Sequence, residues 1–145
     1  MSQENVGIVR RIYAAMDLSV PGSVSQLSAP LEPWRLLIDP DVEWCGPREF
    51  PDLAEPVFGY AGIVAYAAKI AEALDDYRMM PEQFIDAGDD KVLVFSREGG
   101  RGKGSGAEVE THPTAHLWTL RDGLGIRMQS YWEREDALKA VALAE

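Results

Sequence analysis

At 145 residues the chain is long enough for one domain that buries roughly 70% of the surface its unfolded form exposes, so its core needs no staples. Twenty-four acidic against fourteen basic residues give a net charge of -10, which disfavours nucleic acid as a partner. No apolar run approaches the roughly 20 residues of a membrane helix. The single cysteine, Cys45, excludes an internal disulfide, and without a signal-peptide pattern a reducing cytoplasm is the expected compartment.

In chain order, Met1 to Asp17 places Val6, Val9, Tyr13 and Met16 at helical spacing, with Arg10 and Arg11 facing away, which predicts an amphipathic first helix. Leu18 to Pro33 is rich in Ser, Pro and Gly without a stable period and reads as a loop or a broken short helix. Trp34 to Ile38 reads as one helical turn or two. D-P-D-V-E-W-C-G-P then alternates, with Val42 and Trp44 on one side of a strand that Gly46 and Pro47 end. Arg48 to Gly59 is Pro-rich and irregular. Tyr60 to Leu74 predicts a second, Ala-rich helix, apolar over most of its circumference.

Four strands follow, at Tyr77 to Asp86, Lys91 to Glu98, Glu108 to Leu120 and Gly125 to Glu133, joined by A-G-D-D, a glycine-rich turn and R-D-G. Arg134 to Leu143 closes the chain as a helix. Helices first and antiparallel strands afterwards predict a single α+β domain over 1–145, with helices covering one face of a curved sheet.

Several pairings carry chemistry in principle. His112 and His116 form H-x-x-x-H, but on a strand their Cα atoms stand about 13 Å apart at roughly 3.3 Å per residue, too far to share an ion, so no metal is expected. The run G-K-G-S-G-A loosely matches a dinucleotide fingerprint. A strand rather than a helix follows it, so a hairpin turn is the reading and no cofactor is expected. Cys45 has no adjacent base and reads as a small apolar filler.

On the last hairpin, period two puts His116, Trp118, Leu120, Met128, Ser130 and Trp132 on one face. With Tyr13 and Trp44 these make an aromatic wall suited to a small hydrophobic ligand. His116 is its one expected proton-transfer group, since an imidazole ordinarily titrates near neutrality; its bland alternative is a buried ring satisfied by Tyr13 or Ser130. No inward carboxylate is expected on this wall.

The chain resembles the SnoaL-like branch of the nuclear transport factor 2-like superfamily. The resemblance is carried by E-N-V-x-I-V-R-R-I-Y-A-A-M, D-P-D-V-E-W-C-G-P-R-E-F-P-D, D-D-Y-R, F-I-D-A-G-D-D, G-R-G-K-G-S-G, A-H-L-W-T-L-R-D-G and Y-W-E-R-E-D-A-L, nearly the whole chain except Leu18 to Pro33. It implies a cone, a curved antiparallel sheet wrapped around N-terminal helices in the cystatin-like α+β barrel manner, with a pocket between them, usually in a homodimer. It also implies a function among polyketide cyclases, ketosteroid isomerases, epoxide hydrolases, dehydratases and non-enzymatic carriers.

The family's catalytic sets do not carry over. Trp44 stands where the isomerase base would be, Tyr13 is one place from the isomerase tyrosine, and His116 replaces its protonated aspartate. Ser130 stands where the epoxide hydrolase has its second aspartate, and Arg97 and Glu98, being adjacent, face opposite ways. The expectation is therefore a ligand-binding protein. If it is an enzyme, it is a cofactor-independent isomerase, cyclase or lyase that moves a proton with His116. The alternatives are a non-catalytic carrier, or a homodimeric interaction module using an outer sheet face where Leu117 and Tyr131 would be exposed.

Overall fold

The computed structural model describes residues 2–16, 35–102 and 108–144. Its elements are α1 (Ser2–Met16), β1 (Ile38–Cys45), α2 (Pro51–Ala54), β2 (Val57–Phe58), α3 (Gly59–Ala73), β3 (Leu74–Gly88), β4 (Lys91–Gly102), β5 (Glu108–Arg121), β6 (Leu124–Tyr131) and α4 (Arg134–Ala144). Six strands form one curved, unclosed sheet in the order β2-β1-β6-β5-β4-β3. All neighbours are antiparallel except β1 and β6, which run parallel, so the sheet is mixed where uniform antiparallel pairing was expected. The reason is topological: α2, β2 and α3 lie between β1 and the meander and give the chain room to return in the same direction.

Two tight turns set the registers of the meander. At Asp122 and Gly123, φ values of 53° and 81° make a two-residue loop between the paired Arg121 and Leu124, the backbone twist that suits a hairpin and that glycine adopts without strain. Asp89 and Asp90, at φ 48° and 59°, do the same between Gly88 and Lys91. Leu18 to Pro33, Trp34 and the tip of the glycine-rich turn with Lys103 lie outside the described residues. The irregular segment after Arg48 contains one helical turn, α2, and the two-residue edge strand β2.

One core lies between the concave sheet face and helices α1 and α3. Along α1 the spacing Val6, Val9, Ile12, Tyr13 delivers one buried stripe; on α3, Ile63 and Ala67 do so, flanked by half-buried Tyr60, Tyr66 and Ile70. The sheet contributes Val42, Trp44, Tyr77, Met79, Val92, Val94, Trp118 and Met128. Each large apolar side chain so buried contributes about 1.5–3 kcal/mol relative to exposure.

A second, smaller cluster occupies the convex face. Leu93, Ala115 and Leu117 are covered there by Ala137 of α4, with Ala140 and Val141 alongside. This corrects the expected exposed patch: Leu117 is only 7% exposed, because α4 folds back over the outer face instead of leaving it free. Arg134, the first residue of α4, fastens that contact. It donates to the carbonyls of Thr114 at 3.0 Å and Ser96 at 2.8 Å, pairs with Glu82 at 2.6 Å, and lies over the Phe95 ring. Among the described residues no helix is long and apolar enough to cross a membrane.

Candidate functional site

The site begins with strand alternation. On β4, Val92, Val94, Ser96 and Glu98 share the concave face, opposite Trp118, His116, Thr114 and His112 of β5. On β6, Met128 and Ser130 stand opposite Trp118 and His116, and β1 brings Trp44 beside Met128. Helix α1 lowers Tyr13 onto the middle of this surface.

Aromatic packing then locks the centre. The Trp44 and Trp118 rings meet edge to face at 5.6 Å and 87°, Tyr13 meets Trp118 at 6.2 Å and 73°, and Tyr66 of α3 meets Trp44 at 6.1 Å and 64°. These are the offsets aromatic quadrupoles favour. Gly125 makes room for the arrangement, since a Cβ built there would come within 2.9 Å of the Trp118 ring.

Through this packing runs a continuous line of hydrogen bonds. Trp118 Nε1 donates to the Tyr13 hydroxyl at 3.0 Å, that hydroxyl lies 2.5 Å from His116 Nδ1, and His116 Nε2 lies 3.1 Å from Glu98 Oε2. Glu98 also accepts from Thr114 Oγ1 at 2.5 Å and from the Tyr77 hydroxyl. Because Thr114 gives its hydrogen to the carboxylate, Ser96, 2.7 Å away, is the donor in the Ser96–Thr114 contact.

The charge on Glu98 decides how the line is oriented. Burial alone would raise its pKa, but hydrogen bonding and charge from His116, with the Thr114 and Tyr77 hydroxyls, outweigh burial and hold it at about 2. An ionised carboxylate only accepts. In the neutral imidazole the hydrogen therefore sits on Nε2 toward Glu98, and Nδ1 accepts from Tyr13. Burial, with the Glu98 charge added, pushes the hydroxyls of Tyr13 and Tyr77 well above the ordinary phenol range, so both remain protonated hydrogen-bonding groups.

The arrangement can take up a proton without breaking a contact. When Nδ1 is protonated, its N–H donates to the Tyr13 oxygen, which then accepts from both His116 and Trp118 and turns its own hydrogen outward. The imidazolium is balanced by Glu98. Tyr13 thus offers a lone pair when His116 is neutral and a donor when it is charged.

The structure gathers Tyr13, Trp44, His116, Trp118, Met128 and Ser130 on one surface, all of them buried. Trp132 lies just past the end of β6, where it stacks on His112 at 3.9 Å between centroids and meets the edge of Phe50. The expectation of no inward carboxylate is overturned by Glu98. Alternation along Val92, Val94 and Ser96 was the available signal, and Tyr77 and Thr114 escaped notice because their roles exist only once Glu98 is inside. Cys45 is 4% exposed, with its Sγ 3.4 Å from Glu43, and the described residues hold no group of three or more metal-ligating side chains.

No protein-family model and no curated protein matches the sequence. Solved structures do. TerC, co-crystallized with polyporic acid, is 24% identical with a TM-score of 0.69, over 96% of this chain and 98% of TerC. A candidate SnoaL-like polyketide cyclase from Jannaschia sp. CCS1 is 20% identical, TM-score 0.66, over 96% of this chain and 92% of its own. A protein from Catenulispora acidiphila DSM 44928 with a ketosteroid isomerase-like fold, in complex with trimethylamine, is 18% identical, TM-score 0.60, over 86% and 83%. The chain therefore has the nuclear transport factor 2-like fold that SnoaL-like and ketosteroid isomerase-like proteins share.

Proposed function

We propose that this protein binds a small, largely hydrophobic molecule against the concave face of its sheet and moves a proton on it through His116. The single observation behind this is the line Trp118, Tyr13, His116, Glu98, in which a buried imidazole is held between a hydroxyl and an ionised, partly buried carboxylate. A buried neutral imidazole needs a partner on each nitrogen; here one of the two is a carboxylate, which also serves as counter-ion for the charged form.

The step balances simply. A ligand X–H gives its proton to the Tyr13 oxygen while Tyr13 passes its own to Nδ1, so the electrons of the broken bond stay on the ligand and the positive charge rests beside Glu98. Returned to another atom, that proton completes an isomerisation or cyclisation; delivered to a departing hydroxyl, it completes a dehydration. The fold's record with small molecules supports the reading, since TerC was crystallised with polyporic acid and the Catenulispora protein with trimethylamine.

A non-catalytic carrier is the second reading, favoured by the depth of His116, whose side chain is only 6% exposed. Native mass spectrometry of the freshly purified full chain identifies a co-purified molecule and, in the same spectrum, the homodimer expected from the resemblance. Conversion of that molecule by the wild type and its loss in His116→Ala would support the first reading. Full turnover by His116→Ala would overturn it, and tight binding without turnover would establish the carrier.

A further inference from the structure

A second imidazole stands on the same face of β5 and plays no part in the line just described. His112, Thr114 and His116 alternate onto the concave side, and His112 lies directly opposite Glu98. The two histidines differ in what their nitrogens have left to offer. Both nitrogens of His116 are engaged by protein, and its side chain is 6% exposed. The His112 side chain is 29% exposed, and among the described residues only its Nε2 is engaged, 3.0 Å from the carbonyl oxygen of Trp132.

That one bond fixes the chemistry of the other nitrogen. A carbonyl oxygen only accepts, so in the neutral ring Nε2 carries the hydrogen and Nδ1 carries the lone pair. Nδ1 meets no hydrogen-bond partner among the described residues. The ring is also held still: it stacks on the Trp132 indole at 3.9 Å and 5°, and Phe50 braces the indole from the side at 4.9 Å and 86°. Glu133 Oε1 lies 3.6 Å from Nε2, ready to balance a positive ring. A tautomer set by a backbone carbonyl, a fixed plane, an adjacent carboxylate and partial exposure are what a general base requires.

The geometry points to His112 Nδ1 as a second atom on the concave face, beside the Tyr13 oxygen, that meets a ligand directly, accepting a proton from a weakly acidic group such as a phenol or enol hydroxyl. The ligand's O–H bond breaks and its electron pair stays on oxygen, the N–H bond forms at Nδ1, and Nε2–H continues to donate to the Trp132 carbonyl. No oxidant or reductant is involved. Trp132 and Phe50, 39% exposed, offer an apolar edge for the ligand's ring. The titratable groups around His112 are Glu133 from the turn after β6, Glu98 from β4 and His116 on its own strand. This inference deepens the proposed function and rests on its premise that the concave face takes a ligand.

The probe is 4-nitrophenol, whose anion absorbs at a longer wavelength than the phenol. The full chain is mixed with it at a pH slightly below that at which the free phenol ionises, tryptophan quenching reports binding, and the visible band reports ionisation. The expected result is a several-fold rise in phenolate with the wild type and none with His112→Gln, whose amide can still donate to the Trp132 carbonyl. Failure of the probe to bind the wild type overturns this inference together with its premise. Binding with no extra phenolate, or with phenolate that survives His112→Gln, overturns this inference alone.

A measurement on the unmodified chain covers the case in which the variant fails to fold. Diethyl pyrocarbonate acylates unprotonated imidazole nitrogen, and peptide mapping is expected to show His112 reacting at least tenfold faster than His116. Equal rates, or faster reaction at His116, contradict the assignment.

Discussion

Replacing Tyr13 with Phe removes one oxygen and strands two buried nitrogens. In the wild type that oxygen accepts from Trp118 Nε1 at 3.0 Å and meets His116 Nδ1 at 2.5 Å, and the two partner residues are 0% and 4% exposed. Leaving a buried polar group unpaired costs about 1–3 kcal/mol, so two such groups, with the aromatic packing kept, set the expected loss at about 2–6 kcal/mol. At roughly 3 °C per kcal/mol for a chain of this length, Tm should fall by roughly 10 °C. Urea unfolding followed by far-ultraviolet circular dichroism measures the difference, with an unchanged m-value showing that the comparison is sound. A loss below about 0.5 kcal/mol would refute the reasoning, because both nitrogens would then be finding water and the line would not be closed to solvent.

Other consequences follow from the same contacts. Glu98 should lose its charge only near pH 2; its pKa lies below the ordinary 4.5, so the stability it contributes is present above pH 4.5 and lost as pH falls toward 2, about 3 kcal/mol in all. A carboxyl carbon titration by NMR, with the signal assigned from its absence in Glu98→Gln, checks this, and a midpoint near 4.5 would contradict it. Gly125→Ala should destabilise by about 1–3 kcal/mol, since the added methyl meets the Trp118 ring at 2.9 Å; thermal unfolding reads the effect, and a neutral result would mean that the ring is free to shift. Arg134→Met should cost about 1–3 kcal/mol by releasing the Ser96 and Thr114 carbonyls. Amide hydrogen exchange should then rise along β4 and β5 around that pair, and unchanged protection would show that α4 is held by its apolar contacts alone.

The parts of this molecule that were legible in sequence are those governed by period. Val6, Val9 and Tyr13 at helical spacing, and His116, Trp118, Met128 and Ser130 at strand spacing, face where their spacing places them, because one side of each element must leave water. The R-D-G turn was equally plain, since its backbone conformation selects its residues. What escaped was what depends on contacts between distant segments. Glu98 is a charged residue in a strand, and in isolation such a residue reads as surface; its burial is tolerable only because Tyr77, Thr114 and His116 arrive from two other strands to bond it. The cover that α4 lays over Leu117 likewise depends on Arg134 reaching back across the sheet to Glu82 and two strand carbonyls.

The most direct test of the central claim is the state of the His116 ring. Two-bond proton–nitrogen correlation spectra of nitrogen-15 labelled protein, recorded above neutral pH, separate the two neutral tautomers. The expected result is a His116 ring with its hydrogen on Nε2, donated to Glu98, and an unprotonated Nδ1 receiving the Tyr13 hydroxyl. Tyr13→Phe should shift the Nδ1 resonance and leave Nε2 nearly unmoved. A ring with its hydrogen on Nδ1, or one averaging between tautomers, would mean that Glu98 does not orient it and would contradict the account.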